Sequence, residues 1–355
     1  MVSKMSPTPE VILGNSNRRF SGVTSTMLQT FPEVSARVPL AVLGPHHLPD
    51  GAPVLTFREF TRLCRELLPD GLPRVFHARR NDEMIQALSA KKLFGAKIKI
   101  IFTSTAQRNH SRFTKALIRR MDGIITTGSA AGSYLDKPAD IIIPHGIDLD
   151  RFQPPSSKSE AWKKLGFPGD YGIGIFGRVR PQKGIDLLID AALPLLKKNP
   201  APTIVIVGET TPKFRDYQRS LEEKIAAAGL SKRIIFHGKR PGSELPVLFQ
   251  GMSLVAALSR NEGFGLTVPE AMATGAAVLA SHAGAWKDIV SDGIHGFTVP
   301  CDDLNTTREK LATLIADHDS LLGMGRAGRK HVETHYTIER EASALCAYYR
   351  IVQKS

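Results

Sequence analysis

Apolar residues in this chain come mostly in short unbroken runs rather than strict alternation. "EVILGN", "PLAVLG", "RVFHAR", "KIKIIFTS", "DGIITTG" and "ADIIIPHG" follow one another through the first half. Amphipathic, helix-patterned segments separate most of them. After "LDRFQPPSSKSE", a polar Pro/Ser-rich stretch that reads as a linker, the rhythm restarts with "YGIGIFGRV", "PTIVIVGE", "RIIFHGK", "SLVAALS", "AAVLAS" and "GFTVPC". Strands apolar on both faces and alternating with helices predict parallel sheets covered on each side. Two such sets predict an α/β chain of two Rossmann-like domains facing each other across a cleft, over about residues 1–150 and 160–332. Ligands are then expected at the carboxyl ends of the strands. The closing segment "IEREASALCAYYRIVQ" sets Ile338, Ala342, Leu345, Tyr349 and Val352 on one stripe of a final helix.

Composition narrows the classes. With 355 residues, two domains are the natural expectation. An apolar content of 42% against 23% charged is globular. No apolar run approaches the ~20 residues of a membrane span. The opening "MVSKMSPTPEVILGNSN" lacks a signal-peptide core, so a cytoplasmic protein is expected. Cys64, Cys301 and Cys346 are scattered and lack metal-ligand spacing, which points to reduced thiols without zinc or disulfides.

A net charge of +13 adds one further possibility. Residues 91–121 hold nine lysines and arginines and no acidic residue. No nucleic-acid-binding motif accompanies them. "HSRFTKALIRRM" instead places Phe113, Leu117 and Met121 at helical spacing, flanked by Arg112, Lys115, Arg119 and Arg120. That pattern fits a helix lying on anionic lipid, or equally a core-facing helix with a basic outer face.

The chemistry concentrates after two strands. "SRNEGFGLTVPEAMATG" runs from a strand end through Gly263 and Gly265 into a helix that tolerates Pro269 in its first turn. Glycines allow close backbone approach, and a helix start suits a phosphate. Glu262 stands in the loop, placed to accept hydrogen bonds from hydroxyls. Glu270 has two readings that local spacing leaves open: ligand contact, or the capping box Thr267-Val268-Pro269-Glu270. Carboxylates on both sides of a phosphate cradle suggest a ligand carrying phosphates and sugars, a nucleotide sugar. "GIFGRVRPQKGIDLLIDA" sets Gly177, Arg178 and Lys183 at another strand end, without a dinucleotide fingerprint or a P-loop. Arg178 and Lys183 suit a diphosphate and would neutralise it without a metal.

Together "GRVRPQKG", "SRNEGFGLTVPEAMATG" and "PHGIDLDRF" resemble the retaining family 4 glycosyltransferases of the GT-B fold. The resemblance implies that Glu270 binds ribose hydroxyls, Glu262 the transferred sugar, and Arg178 with Lys183 the diphosphate. It implies that Gly263, Phe264, Gly265, Leu266 and Thr267 line the donor, with Lys239 and Arg240 of "HGKRPGSELPVLF" near the base. It also implies that a last helix, about 333–355, returns to the first domain.

"RRFSGVTSTM", "FHARRNDEM" and "FTSTAQRNHSRFTKALIRRMDGIITT" are similar to mannosyltransferases of the lipopolysaccharide core of Gram-negative bacteria. This similarity implies GDP-mannose as donor, a lipid-linked acceptor bearing the acidic sugar Kdo, and a peripheral place on the cytoplasmic face of the inner membrane. Gly22 would then make a tight turn towards the donor diphosphate. His77, Arg79, Arg80 and Asn81, after the "RVF" strand, would meet the acidic acceptor. Phe102 stands where many relatives carry a histidine, leaving His110 or His77 to replace it. His145 is expected to be structural. A UDP-sugar transferase, a hydrolase or epimerase on the same scaffold, and a non-enzymatic basic membrane-surface or nucleic-acid-binding protein remain as rivals.

Overall fold

The structure, a computed structural model, describes residues 8–19 and 21–355. Residues 1–7, part of the stretch read for a leader, and Phe20 lie outside the described residues. The chain divides into two units: the described residues up to Gly146 together with Ile338–Ser355, and Ile147–Thr337.

In the first unit the described strands are β1 (Val11–Gly14), β2 (Leu40–Leu43), β3 (Val54–Leu55), β4 (Arg74–Ala78), β5 (Ile98–Ser104), β6 (Gly123–Thr126) and β7 (Ile141–Ile142). They form one parallel sheet in the order β3-β2-β1-β4-β5-β6-β7. β1, β2 and β4 are buried along their whole length, as unbroken apolar runs require. β3 went unforeseen because two residues, one of them the exposed Val54, carry no periodicity.

The second unit holds β8 (Tyr171–Phe176), β9 (Pro202–Val207), β10 (Ile234–Gly238), β11 (Met252–Ala257), β12 (Ala277–Ser281) and β13 (Gly296–Val299). These are also parallel, in the order β10-β9-β8-β11-β12-β13. In each sheet the order reverses direction once, at β1/β4 and at β8/β11, and such switch points open a crevice at the strand ends. The stretch expected to be a linker belongs structurally to the second unit. Phe152 is buried in its core, and Ser157 caps the helix Lys158–Leu165 by accepting from the Glu160 amide.

The last helix runs Ile338–Lys354, after a separate helix His318–His335. Its expected stripe, Ile338, Ala342, Leu345, Tyr349 and Val352, is buried throughout in the first unit. His145 Nδ1 lies 2.8 Å from Glu341 Oε1 on this helix, and the Gly146 amide donates to Glu341 Oε2 at 2.8 Å. His145 thus ties the chain to the helix, a structural role.

The basic segment differs from the surface-lying stripe. In the helix Arg112–Ile118, Leu117 and Ile118 are buried and Met121 packs against the same core, while Phe113 is exposed. Lys115 and Arg119 both pair with Asp136, at 2.6 and 2.9 Å. Core packing therefore orients this helix, and only Phe113 of the three apolar residues faces outward.

Candidate active site

The β8/β11 switch point organises the second unit's chemistry. Leaving β8, Gly177 adopts φ 136°, and a Cβ there would lie 3.0 Å from Lys183 Cε. Gly208, following β9, is pressed so close to the Gly177 carbonyl that a Cβ would sit 1.8 Å from its oxygen. Glycine at both strand ends lets the lysine stem lie flat over the crevice. Lys183 Nζ donates to Glu262 Oε2 at 2.5 Å, and Ser259 Oγ donates to the same oxygen at 3.2 Å. Glu262 was expected to be open to sugar hydroxyls. Instead it is engaged by the lysine expected to hold phosphate, a charge-assisted pair formed across two loops.

Beside this pair lies a cavity of about 360 Å³ lined by Gly177, Arg178, Lys183, Glu209, Lys239, Arg240, Thr267 and Glu270. Arg178 is exposed, and its guanidinium makes no ion pair or hydrogen bond among the described residues. Lys239 is exposed and reaches Glu209 at 3.5 Å. Arg240 Nη2 approaches His237 Nδ1 at 3.3 Å, while its Nε is buried without a partner among the described residues.

Glu270 corrects the capping-box reading. The helix Thr267–Ala273 has Leu266 at its N-cap and no side-chain cap, so Thr267 is already helical and caps nothing. The Glu270 carboxylate makes no hydrogen bond among the described residues. Residue-level exposure is intermediate because one edge meets the cavity, yet protein surrounds the group. Burial pushes its pKa up to about 7, opposed by the charge of Arg151. A partnerless carboxylate at a cavity edge is poised to accept from a ligand hydroxyl.

The glycine loop is held from behind. Gly265 has φ 85°, and a Cβ would meet Trp286 Nε1 at 2.3 Å. The indole nitrogen donates to the Gly265 carbonyl at 2.8 Å. Phe264 is buried and its carbonyl accepts from the Ala285 amide at 3.0 Å. Trp286, far along the sequence and unremarkable there, was not foreseen as the support of this loop.

The first unit departs more from expectation. His77 is 1% exposed, with Nδ1 2.7 Å from the Tyr349 hydroxyl and Nε2 2.6 Å from Thr103 Oγ1. Burial and the charge of Arg79 hold it neutral, its pKa well below the ordinary value. Both ring nitrogens are used, so His77 is a buried brace and not an acceptor contact. Arg80 is likewise internal: it donates to Glu83 Oε1 at 3.0 Å, Ser21 Oγ at 3.0 Å and Thr24 Oγ1 at 2.9 Å. It ties together the starts of the helices Gly22–Ser35 and Asn81–Leu93 rather than meeting an acidic ligand.

Gly22 makes no tight turn. It is the first helical residue after the Ser21 cap, it is not among the positive-φ residues, and a Cβ there would meet nothing within 4 Å. Asn81 opens its helix and donates from Nδ2 to Thr114 Oγ1 at 2.8 Å. Arg79 remains partly accessible, with Nη1 buried and unbonded among the described residues. His110 Nε2 lies 3.3 Å from Ser104 Oγ, and burial with the charges of Arg108 and Lys115 lowers its pKa. Phe102 is buried in the core.

Two parallel-sheet Rossmann-like units, the second with a lysine–glutamate pair and an unbonded carboxylate after β8 and β11, have the architecture of the GT-B glycosyltransferases. The sequence profile of the family described as "Glycosyl transferases group 1" matches residues 157–331. The chain is 40% identical over 350 residues to the lipopolysaccharide core biosynthesis mannosyltransferase LpsB of Rhizobium meliloti (strain 1021), covering 97% of this chain and 98% of that protein. It is 39% identical to the crystal structure of the C-terminal domain of a glycosyl transferase group 1 family protein (LpcC) from Francisella tularensis. That match covers 54% of this chain and 99% of the domain at a TM-score of 0.52. The fold of Anabaena Alr3699/HepE, solved with UDP and glucose, matches over 96% of this chain and 99% of that one at 19% identity and a TM-score of 0.77. The chain belongs to the group 1 glycosyltransferase family and is a glycosyltransferase.

Proposed function

We propose that the chain transfers mannose from GDP-mannose, with retention of configuration, to a Kdo-bearing lipid-linked acceptor in lipopolysaccharide core synthesis. The observation that carries this reading is the cavity that Lys183 and the unbonded Glu270 both line, with Glu262 held against Lys183. The names of the near-full-length relatives direct it to mannose and the lipopolysaccharide core. Glu270 accepts from the ribose hydroxyls. The diphosphate draws Lys183 towards it, which frees Glu262 to accept from a hydroxyl of the transferred sugar. Lys239 and Arg240 flank the nucleoside end, and the amides of Gly263 to Leu266 line the sugar and phosphates.

The bond between the sugar's anomeric carbon and the diphosphate breaks as the acceptor oxygen bonds that carbon on the same face. The leaving diphosphate takes the acceptor's proton. Arg178 and Lys183 hold the charge that develops on it, so this mechanism requires no metal. Arg79, with Asn81 two residues on and His110 in the loop after β5, is the residue left to meet the acceptor's carboxylate. The enzyme works on the cytoplasmic face of the inner membrane, with exposed Phe113 and its neighbouring arginines towards anionic lipid. No helix among the described residues is long and apolar enough to cross a membrane.

The test is calorimetric titration with GDP, UDP, GDP-mannose and UDP-glucose without added metal, followed by transfer to Kdo-lipid with EDTA present. Selective binding of GDP and GDP-mannose, with EDTA-resistant transfer, is expected. Preference for the uridine ligands would remove the mannose assignment and leave the diphosphate clamp.

A further inference from the structure

Lys183 and Glu262 stand on different loops, one after β8 and the other after β11. Something must set their separation, and Arg260 bridges both loops. The Arg260 guanidinium donates from Nη1 and Nη2 to the two carboxylate oxygens of Asp186, at 3.1 and 2.8 Å. Its Nε pairs with Asp302 Oδ1 at 2.5 Å, and Nη1 also donates to the Pro181 carbonyl. Every guanidinium nitrogen is engaged, so Arg260 is not set to grip a phosphate itself.

The backbone joins the same seam. The Arg260 amide donates to the Gln182 carbonyl at 2.9 Å, and Gln182 Nε2 donates to the Asn261 carbonyl at 2.9 Å. Asp186 is fixed in turn by the Tyr217 hydroxyl, which donates to Oδ1 at 2.9 Å. Behind the seam, Gly184 (φ 66°) brings its Cα so near β11 that a Cβ would lie 2.1 Å from the Leu258 carbonyl oxygen. Asp186 lies three residues after Lys183, and Arg260 lies two before Glu262. A bidentate Arg–carboxylate pair fixes relative orientation as well as distance.

We infer that Arg260, held by Asp186 and Tyr217, is a positioning residue that registers the Lys183 turn against the Glu262 loop and thereby sets the diphosphate grip. The inference rests on the diphosphate role given to Lys183 above. Misplacement of a reacting or binding group by about 1 Å costs on the order of 100-fold. Loosening the seam therefore affects the diphosphate end of the ligand and spares the nucleoside end, where Glu270 acts.

The experiment compares Kd for GDP and GMP, or for UDP and UMP if wild type prefers uridine, in Lys183→Ala, Arg260→Ala, Asp186→Asn and the Lys183→Ala/Arg260→Ala double variant. Arg260→Ala and Asp186→Asn are expected to weaken the diphosphate on the order of 10- to 100-fold and to leave the monophosphate unchanged. The double variant is expected to bind no worse than Lys183→Ala, because the strap acts only through that lysine. If Lys183→Ala weakens GDP while folded Arg260→Ala and Asp186→Asn bind as wild type, the strap is overturned and the clamp stands. Equal weakening of GDP and GMP in the seam variants overturns it as general destabilisation. Wild-type diphosphate binding by Lys183→Ala overturns the clamp and the strap with it. Should Arg260→Ala fail to fold, Asp186→Asn and Tyr217→Phe carry the same comparison, since both keep the packing.

Discussion

Replacing Glu270 by Gln separates a ligand-binding carboxylate from a structural one. Burial opposes the charge of Glu270 and pushes its pKa up to about 7 in the folded chain, against the ordinary carboxylate value of 4.5. A folded pKa above the unfolded one means the folded state prefers the proton. The cost is absent at low pH, grows as pH rises from 4.5 towards 7, and is fully present above that. Linkage sets the full cost at about 3 kcal/mol. Water at the cavity edge reduces it to about 1–2 kcal/mol.

Glutamine keeps the shape, carries no charge, and loses no hydrogen bond, since the carboxylate makes none among the described residues. The variant should therefore melt about 3–6 °C higher than wild type at pH 8.5 and the same at pH 5. Transfer should fall on the order of 10- to 100-fold, because charge-assisted hydrogen bonds to the ribose are lost. Wild-type nucleotide affinity should rise with pH between about 6 and 8, whereas the variant's should not. Thermal melts at both pH values with a radiolabelled sugar-transfer assay make the measurement. A variant that melts lower than wild type at both pH values, with full activity, would refute the reasoning and return Glu270 to a structural role.

Lys183→Ala should lower kcat on the order of 100- to 1,000-fold, the loss expected when one leaving-group donor is removed, while circular dichroism stays that of wild type. Gly184→Ala forces a left-handed backbone on a residue with a Cβ and drives that carbon into the Leu258 carbonyl. A loss of about 2 kcal/mol or more in urea unfolding is expected, and an unchanged midpoint would count against the packing described. His331 lies between the tilted rings of His295 and His335, with centroids 4.5 and 4.7 Å away, and burial lowers its pKa to about 4. The folded state prefers it neutral, so stability is full above 6.5 and declines as pH falls through that value towards 4. His331→Gln should flatten the difference between urea midpoints at pH 7.5 and pH 5.

Much of the fold was legible because continuous apolar strands between amphipathic helices leave few architectures open. β8 and β11 declared themselves by their runs, and with them the strand ends that carry Lys183 and Glu262. A two-residue strand such as β3 has no period to read. The same limit governed the first unit's candidates. "FHARRN" placed His77 and Arg80 at the end of a strand, His77 within β4 and Arg80 just past it, but whether such residues face a ligand or the interior depends on partners far away in sequence. His77 is claimed by Tyr349, on the final helix, and by Thr103, on β5. Arg80 is claimed by Glu83, by Ser21 and by Thr24.

The capping-box spacing of Thr267 and Glu270 was real as a pattern. The turn of Gly265 against Trp286 precedes a helix that starts at Thr267 itself, which leaves the glutamate's carboxylate to the cavity. Local pattern by itself determined the parallel sheets and the residue types gathered at their strand ends, because burial and periodicity are written residue by residue. Only the tertiary structure decided which charges are paired, since an ion pair joins loops far apart in the chain. Lys183 with Glu262, and Arg260 with Asp186, are separated by more than seventy residues and meet only when β8 and β11 lie side by side.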